Sequence, residues 1–179
     1  MKILVCISSV PDTTSKINFT ADKSAFDKNG IQWVINPYDE FALTKAVKLQ
    51  ESQGATVTIA TVGDAATEAV MRKALAIGAN DAIRVNAEPQ DSITVAKALA
   101  KIVEAGGYDL VLCGKESIDY NGAAVPAMIA QLLNRPFVNA CVGLEVNGAE
   151  ATAVREIEGG KETLTVKLPA VIAGQKGMV

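Results

Sequence analysis

Residues Leu110 to Leu133, LVLCGKESIDYNGAAVPAMIAQLL, set an apolar strand, a glycine-bearing polar loop and a helix end to end, the succession of an α/β layer. Leu110 to Cys113 suit a strand covered on both faces, and Val125, Met128, Ile129, Leu132 and Leu133 fall on one helical face. Pro126 is tolerated only near a first turn, so the helix starts between about Gly122 and Val125. Its free backbone N–H groups then point into the loop, which suits an anion.

The same order recurs earlier in the chain. Ile3 to Val10 reads as a buried first strand ended by Pro11 and Asp12, and Thr13 to Gly30 as a polar surface excursion with a short strand as an option at Ile17 to Phe19. Extended residues Ile31 to Ile35, with Trp33 as a packing residue, lead to Asn36-Pro37-Tyr38-Asp39. That tetrad is a compact helix start: Asn36 as N-cap, Pro37 at the first position, and Asp39 reaching back to free N–H groups. Capping accounts for Asn36 and Asp39 without a ligand. The helix runs to Gln53, stops at Gly54, and buries Phe41, Ala42, Ala46, Val47 and Leu49.

Ala55 to Val62 alternates as a strand, and Gly63 and Asp64 turn it into a helix ending near Gly78. A short strand at Ile83 to Val85 and an amphipathic helix from Asp91 to Ala105 precede the Leu110 stretch. This order predicts a mainly parallel sheet with helices on both faces over about residues 1–136. After Pro136, strand-like Cys141 to Val146, Ala151 to Ile157 and Glu162 to Val166 are separated by the hairpin signals Asn147-Gly148 and Gly159-Gly160. A small C-terminal antiparallel meander is therefore expected over about 137–173, with Pro169 to Ala173 placed to rejoin the main sheet. Residues 1–179 are expected to form a single α/β domain.

A formal net charge of -3 and a pI near 5.1 remove the main electrostatic ground for a nucleic-acid or membrane-surface partner. The chain has no histidine, which excludes a histidine base and histidine-based zinc sites from its own residues. Cys6, Cys113 and Cys141 form neither a disulfide framework nor a metal knuckle and read as small buried residues, with Cys113 at the mouth of the loop. No apolar run reaches the roughly 18 residues of a membrane span, and Met1 leads directly into Ile3 to Val5, so a cytoplasmic protein is expected.

Gly114 to Val125 alone combines glycine, amide, hydroxyl, carboxylate and lysine beside a helix start, with Lys115 and Asn121 available to a phosphate. It matches neither G-x-G-x-x-G nor G-x-x-x-x-G-K-[ST]. Glu116 and Asp119 offer an acid–base pair on paper, although surface carboxylates are usually solvated. No catalytic residues and no metal ligands are expected.

At Val10-Pro11-Asp12, Asn36 to Glu40, Cys113 to Asp119 and Ala153 to Ala173 the chain resembles the beta subunits of electron transfer flavoproteins. Arg155, Glu158, Gly159, Glu162 and Pro169 stand where that family's signature expects them. The resemblance implies a Rossmann-like α/β subunit that performs no bond chemistry of its own. It pairs with an alpha subunit carrying FAD and passes electrons from flavin dehydrogenases to an acceptor. It also implies a buried AMP, or the AMP moiety of a second FAD. The site would be built from Cys6, Asn36, Pro37, Tyr38, Asp39, Val62, Gly63, Gly114, Lys115, Asp119, Asn121, Gly122, Ala123, Ala124 and Val125. Set against such subunits, Ser8 replaces a usual basic residue, Tyr120 to Pro126 depart from the usual loop, and the C-terminal arm is expected to be missing after Val179. Two other readings share this architecture: a nucleotide-binding regulatory module similar to universal stress proteins, and an enzyme of the ATP-pyrophosphatase type. The Ala153 to Ala173 signature weighs against the first, and the lack of a Ser-Gly-Gly-rich loop after the first strand weighs against the second.

Overall fold

Apolar β-branched runs make the parallel strands, and the computed structural model, which describes residues 1–179, assembles them into one eight-stranded sheet. Six lie parallel in the order β5 (Asp81–Val85), β4 (Thr56–Val62), β1 (Lys2–Cys6), β6 (Leu110–Gly114), β10 (Ala170–Gly174) and β7 (Phe137–Asn147). Antiparallel β8 (Glu150–Ile157) and β9 (Gly160–Lys167) complete it. The meander thus extends the main sheet, and β10 returns between β6 and β7.

Helices α1 (Pro37–Gln53) and α2 (Glu68–Ile77) cover one face of the parallel strands, where Leu43, Ala46, Val70 and Met71 join Ile3, Val5, Ile59, Leu110 and Leu112 in the larger core. Helices α3 (Ser92–Gly106) and α4 (Val125–Leu132) cover the other, where Leu99, Val103 and Ile129 meet Leu4, Cys6, Val111 and Cys113. Alternation along β1 and β6 feeds both cores, because successive side chains point to opposite faces.

Three expectations need correction. The first strand ends at Cys6, and Ser9–Pro11 forms a separate strand, β2, paired antiparallel with β3 (Trp33–Ile35). Asp81 and Ala82 join β5, pairing with Thr58 and Ile59, although their side chains carry no strand signal. On α1 the sequence pattern missed the fully buried Leu43, and on α4 Leu132 is 44 % exposed while Pro126 and Ala130 are buried. α4 packs against α3, β10 and β7 through Ile129 and Ala130, with Val125, Met128 and Leu133 partly buried beside them, and Leu132 falls outside that face.

The excursion between β2 and β3 contributes one isolated bridge, Phe19 to Phe26, and Phe26 meets the Trp33 ring edge-on at 6.4 Å. Trp33 is half-buried against the larger core. In the meander, Arg155 and Glu162 stand opposite each other on β8 and β9 and are paired at 2.6 Å.

Candidate functional site

Strand order reverses beside β1: α1 carries the chain from the β1 side to β4, whereas the chain leaving β5 crosses back through α3 to β6. Ligands of open α/β sheets bind in the crevice outside the carboxyl ends of strands at such a point. Cys6, Val62, Gly63 and Gly114 lie at the ends of β1, β4 and β6, and Asn36 to Asp39 open the helix that follows β3. One edge of the sheet therefore gathers residues that are up to 119 positions apart in sequence, from Cys6 to Val125.

Asn36 and Asp39 bind this edge together. Asn36 is fully buried, and no side-chain hydrogen bond caps α1. Its Nδ2 instead donates to the Glu116 carbonyl at 2.8 Å, and its Oδ1 accepts from the Ile118 N–H at 3.2 Å. The Asp39 carboxylate, 4 % exposed, accepts from the Ser8 N–H at 2.8 Å, the Ser8 hydroxyl at 3.0 Å and the Gly114 N–H at 2.8 Å. Asn36 does hold the N-cap position with Pro37 in the first turn, but the side-chain capping is corrected: both side chains bond instead to two distant loops, which offer unpaired backbone groups there. Burial pushes the Asp39 pKa up to about 6, and the bonds from Ser8 and Gly114 only partly oppose it.

Gly114 is a spatial requirement, since a Cβ there would collide with the Asp39 carboxylate and the Tyr38 Cβ. Beside it Cys113 is buried next to Cys6; a hydrogen bond with Cys6 first, then burial, holds the Cys113 thiol well above its ordinary pKa. A protonated, buried thiol is a poor nucleophile, so this pair packs the strand ends. Pro37 stands in the first turn of α1. Lys115 Nζ sits 5.1 Å from the Tyr38 ring centroid and 3.4 Å from Glu116. At the end of β4, half-buried Val62 leads to Gly63, whose N–H donates to the Val85 carbonyl at 3.0 Å and whose carbonyl accepts from Arg84 at 3.1 Å.

The remaining predicted residues line the exposed loop before α4. Asp119 accepts from the Tyr120 N–H at 2.9 Å, and Glu116 is engaged by Lys115, so the two carboxylates form no acid–base pair. The Asn121 side-chain amide faces the Ser117 and Ile118 carbonyls, and its orientation, assigned from that hydrogen-bond network, turns the nitrogen to them at 3.1 Å each. Asn121 and Ala123 both hold positive φ, 50° and 49°, and Ala124 then enters the right-handed region. Such an alternation forms a backbone concavity suited to anions. The N–H groups of Gly122, Ala123, Ala124, Val125 and Ala127 have no acceptor within the chain, and the first helical bond is Met128 N–H to Ala124 O. These donors fit a phosphate group better than the side chains do. The sequence reading missed Ser8 and the backbone of Glu116 and Ile118, because their partners lie 31 to 82 residues away and leave no local signal.

The family described as "Electron transfer flavoprotein domain" matches residues 24–179. The chain is 34 % identical to electron transfer flavoprotein subunit beta of Bacillus subtilis, over 99 % of this chain and 70 % of that protein. It is 37 % identical to the subunit of the same name from Syntrophomonas wolfei, over 98 % and 69 %, and 36 % identical to the mitochondrial subunit beta of Oryza sativa subsp. japonica, over 96 % and 70 %. With the matched region spanning β3 to the last residue, and with relatives this similar along nearly all of the chain, the protein belongs to the electron transfer flavoprotein family, among its beta subunits.

Proposed function

We propose that the crevice at the ends of β1, β4 and β6 holds AMP, or the AMP moiety of an FAD, and that the chain works paired with an FAD-carrying alpha subunit. The observation that carries the site reading is the run of free N–H groups from Gly122 to Val125 and at Ala127, beside the strand ends tied together by Asn36 and Asp39. Five donors without acceptors at a positive-φ turn suit a phosphate, and the strand-end crevice gives a nucleoside a wall. Cys6, Val62 and Gly63 would line that wall, Pro37 and Tyr38 would close it, and Gly114, Lys115, Asp119 and Asn121 would shape the loop.

The alpha subunit's FAD supplies the redox chemistry when bound. This chain binds, orients and excludes water, and it passes no atoms; flavin dehydrogenases would be the electron donors. No helix is long and apolar enough to cross a membrane. The cytoplasm is the proposed place of work of the complex.

Two measurements test the reading. Nucleotide released from the purified protein by denaturation and identified by mass should be AMP or FAD; a protein that carries neither and shows no heat of binding with either would sink the site. Co-expression with an alpha subunit should give a stable complex with bound flavin, and failure to co-purify would remove the pairing.

A further inference from the structure

The Asp39 carboxylate ties together two strands to which it does not belong. Oδ2 accepts from the N–H and hydroxyl of Ser8, just past β1, and Oδ1 from the N–H of Gly114, the last residue of β6. These strands flank the reversal of strand order, so the carboxylate sets the mouth of the crevice. At 4 % exposure, water cannot replace a lost bond.

An ionised carboxylate accepts from all three donors. A protonated one can only reverse its bond with the Ser8 hydroxyl, and it meets the Ser8 and Gly114 N–H groups without the charge that strengthens those bonds. The titratable groups around it are the Cys6 and Cys113 thiols on β1 and β6, Tyr38 and Glu40 on α1, and Lys115 and Glu116 after β6. Glu40 is bound to Lys73 at 2.8 Å and Glu116 to Lys115 at 3.4 Å, and no cation makes an ion pair with Asp39. Burial therefore governs its ionisation and brings it near pH 6.

We propose that Asp39 is a positioning residue whose ionised carboxylate holds the ends of β1 and β6 at the separation the nucleotide crevice needs, and whose protonation loosens that edge and weakens nucleotide binding. The inference rests on the nucleotide reading above. It adds a proton as a competitor of the ligand: nucleotide favours the ionised clamp, so affinity is full above pH 6 and falls below it.

The test uses the full chain labelled with nitrogen-15, with AMP as the probe. The Ser8 and Gly114 amide shifts, followed from pH 4.5 to 8 without ligand, should move together with one midpoint near 6. In Ser8→Ala, which removes one bond to the ionised form, that midpoint should rise. AMP affinity measured by calorimetry should fall about fivefold between pH 7.5 and 5, the loss expected if binding lowers the Asp39 pKa by about one. Because the AMP phosphate itself titrates near pH 6, Asp39→Asn supplies the baseline, and its loss should be clearly smaller. Amides that do not titrate together, a midpoint unmoved in Ser8→Ala, or an equal loss of affinity in Asp39→Asn overturns the proposal. If Asp39→Asn does not fold, the Ser8→Ala midpoint decides. Titrating amides in a protein that binds AMP at neither pH overturn the nucleotide reading and the coupling together, and leave only the clamp.

Discussion

At the scale of single residues, the site depends on polar groups that satisfy distant backbone, and the effects of replacing them follow from which atom faces which. In Asn36→Ala, the Glu116 carbonyl and Ile118 N–H lose their partners, at a cost of about 2 to 4 kcal/mol. Asn36→Asp should be worse at pH 7 despite its similar shape, since a carboxylate oxygen would face the Glu116 carbonyl; urea denaturation of the two variants checks the order. Gly114→Ala should cost about 2 kcal/mol or more and abolish nucleotide binding, because the methyl group displaces Tyr38 and the Asp39 carboxylate. Asp39 makes stability depend on pH in a stated direction. Its folded pKa, about 6, lies above its ordinary 3.8, so its stabilising contribution is fully present below about pH 3.8 and is lost as pH rises through 6. A rise of that size corresponds to about 3 kcal/mol, and it should show as the difference between the urea stabilities of the wild type and Asp39→Asn across pH 4 to 7.

At the scale of elements, β7 serves two pairings at once. Its first half lies parallel to β10 and its second antiparallel to β8, and both registers shift around Cys141. Ala140, just before that shift, has φ 51°, a left-handed conformation in the middle of a strand. Valine is the better strand former in general, yet Ala140→Val should destabilise by about 1 to 2 kcal/mol, because a β-branched side chain fits that conformation poorly. A thermal melt that rises instead would show that the bend does not depend on this residue. The meander's ion pair is of another kind: Arg155 and Glu162 are both partly exposed, which limits their contribution to about 1 kcal/mol or less.

At the scale of the molecule, β10 ties the meander to the parallel strands by lying between β6 and β7, so we infer that residues 1–179 unfold as one unit. Urea unfolding followed by Trp33 fluorescence and by far-ultraviolet circular dichroism should give coincident single transitions; two separated midpoints would divide the chain near residue 136. Local periodicity was enough to specify the main strands and helices in order, the hairpins at Gly148 and Gly159, and a start of α4 between Gly122 and Val125, because each depends on neighbours within about one helical turn or one strand. It also placed the loop after Gly114 beside a helix start. It placed Asn36 correctly at the N-cap but misread what the Asn36 and Asp39 side chains bond, since their partners, Ser8, Gly114, Glu116 and Ile118, come from two other segments. The split of the first strand after Cys6 belongs with them, since the Asp39 carboxylate claims the Ser8 N–H that a continuing strand would have used. Sequence alone determined the succession of elements and the family; the tertiary structure decided which buried polar groups meet, because a backbone donor is satisfied by whatever acceptor the fold brings within about 3 Å, however far away in the chain.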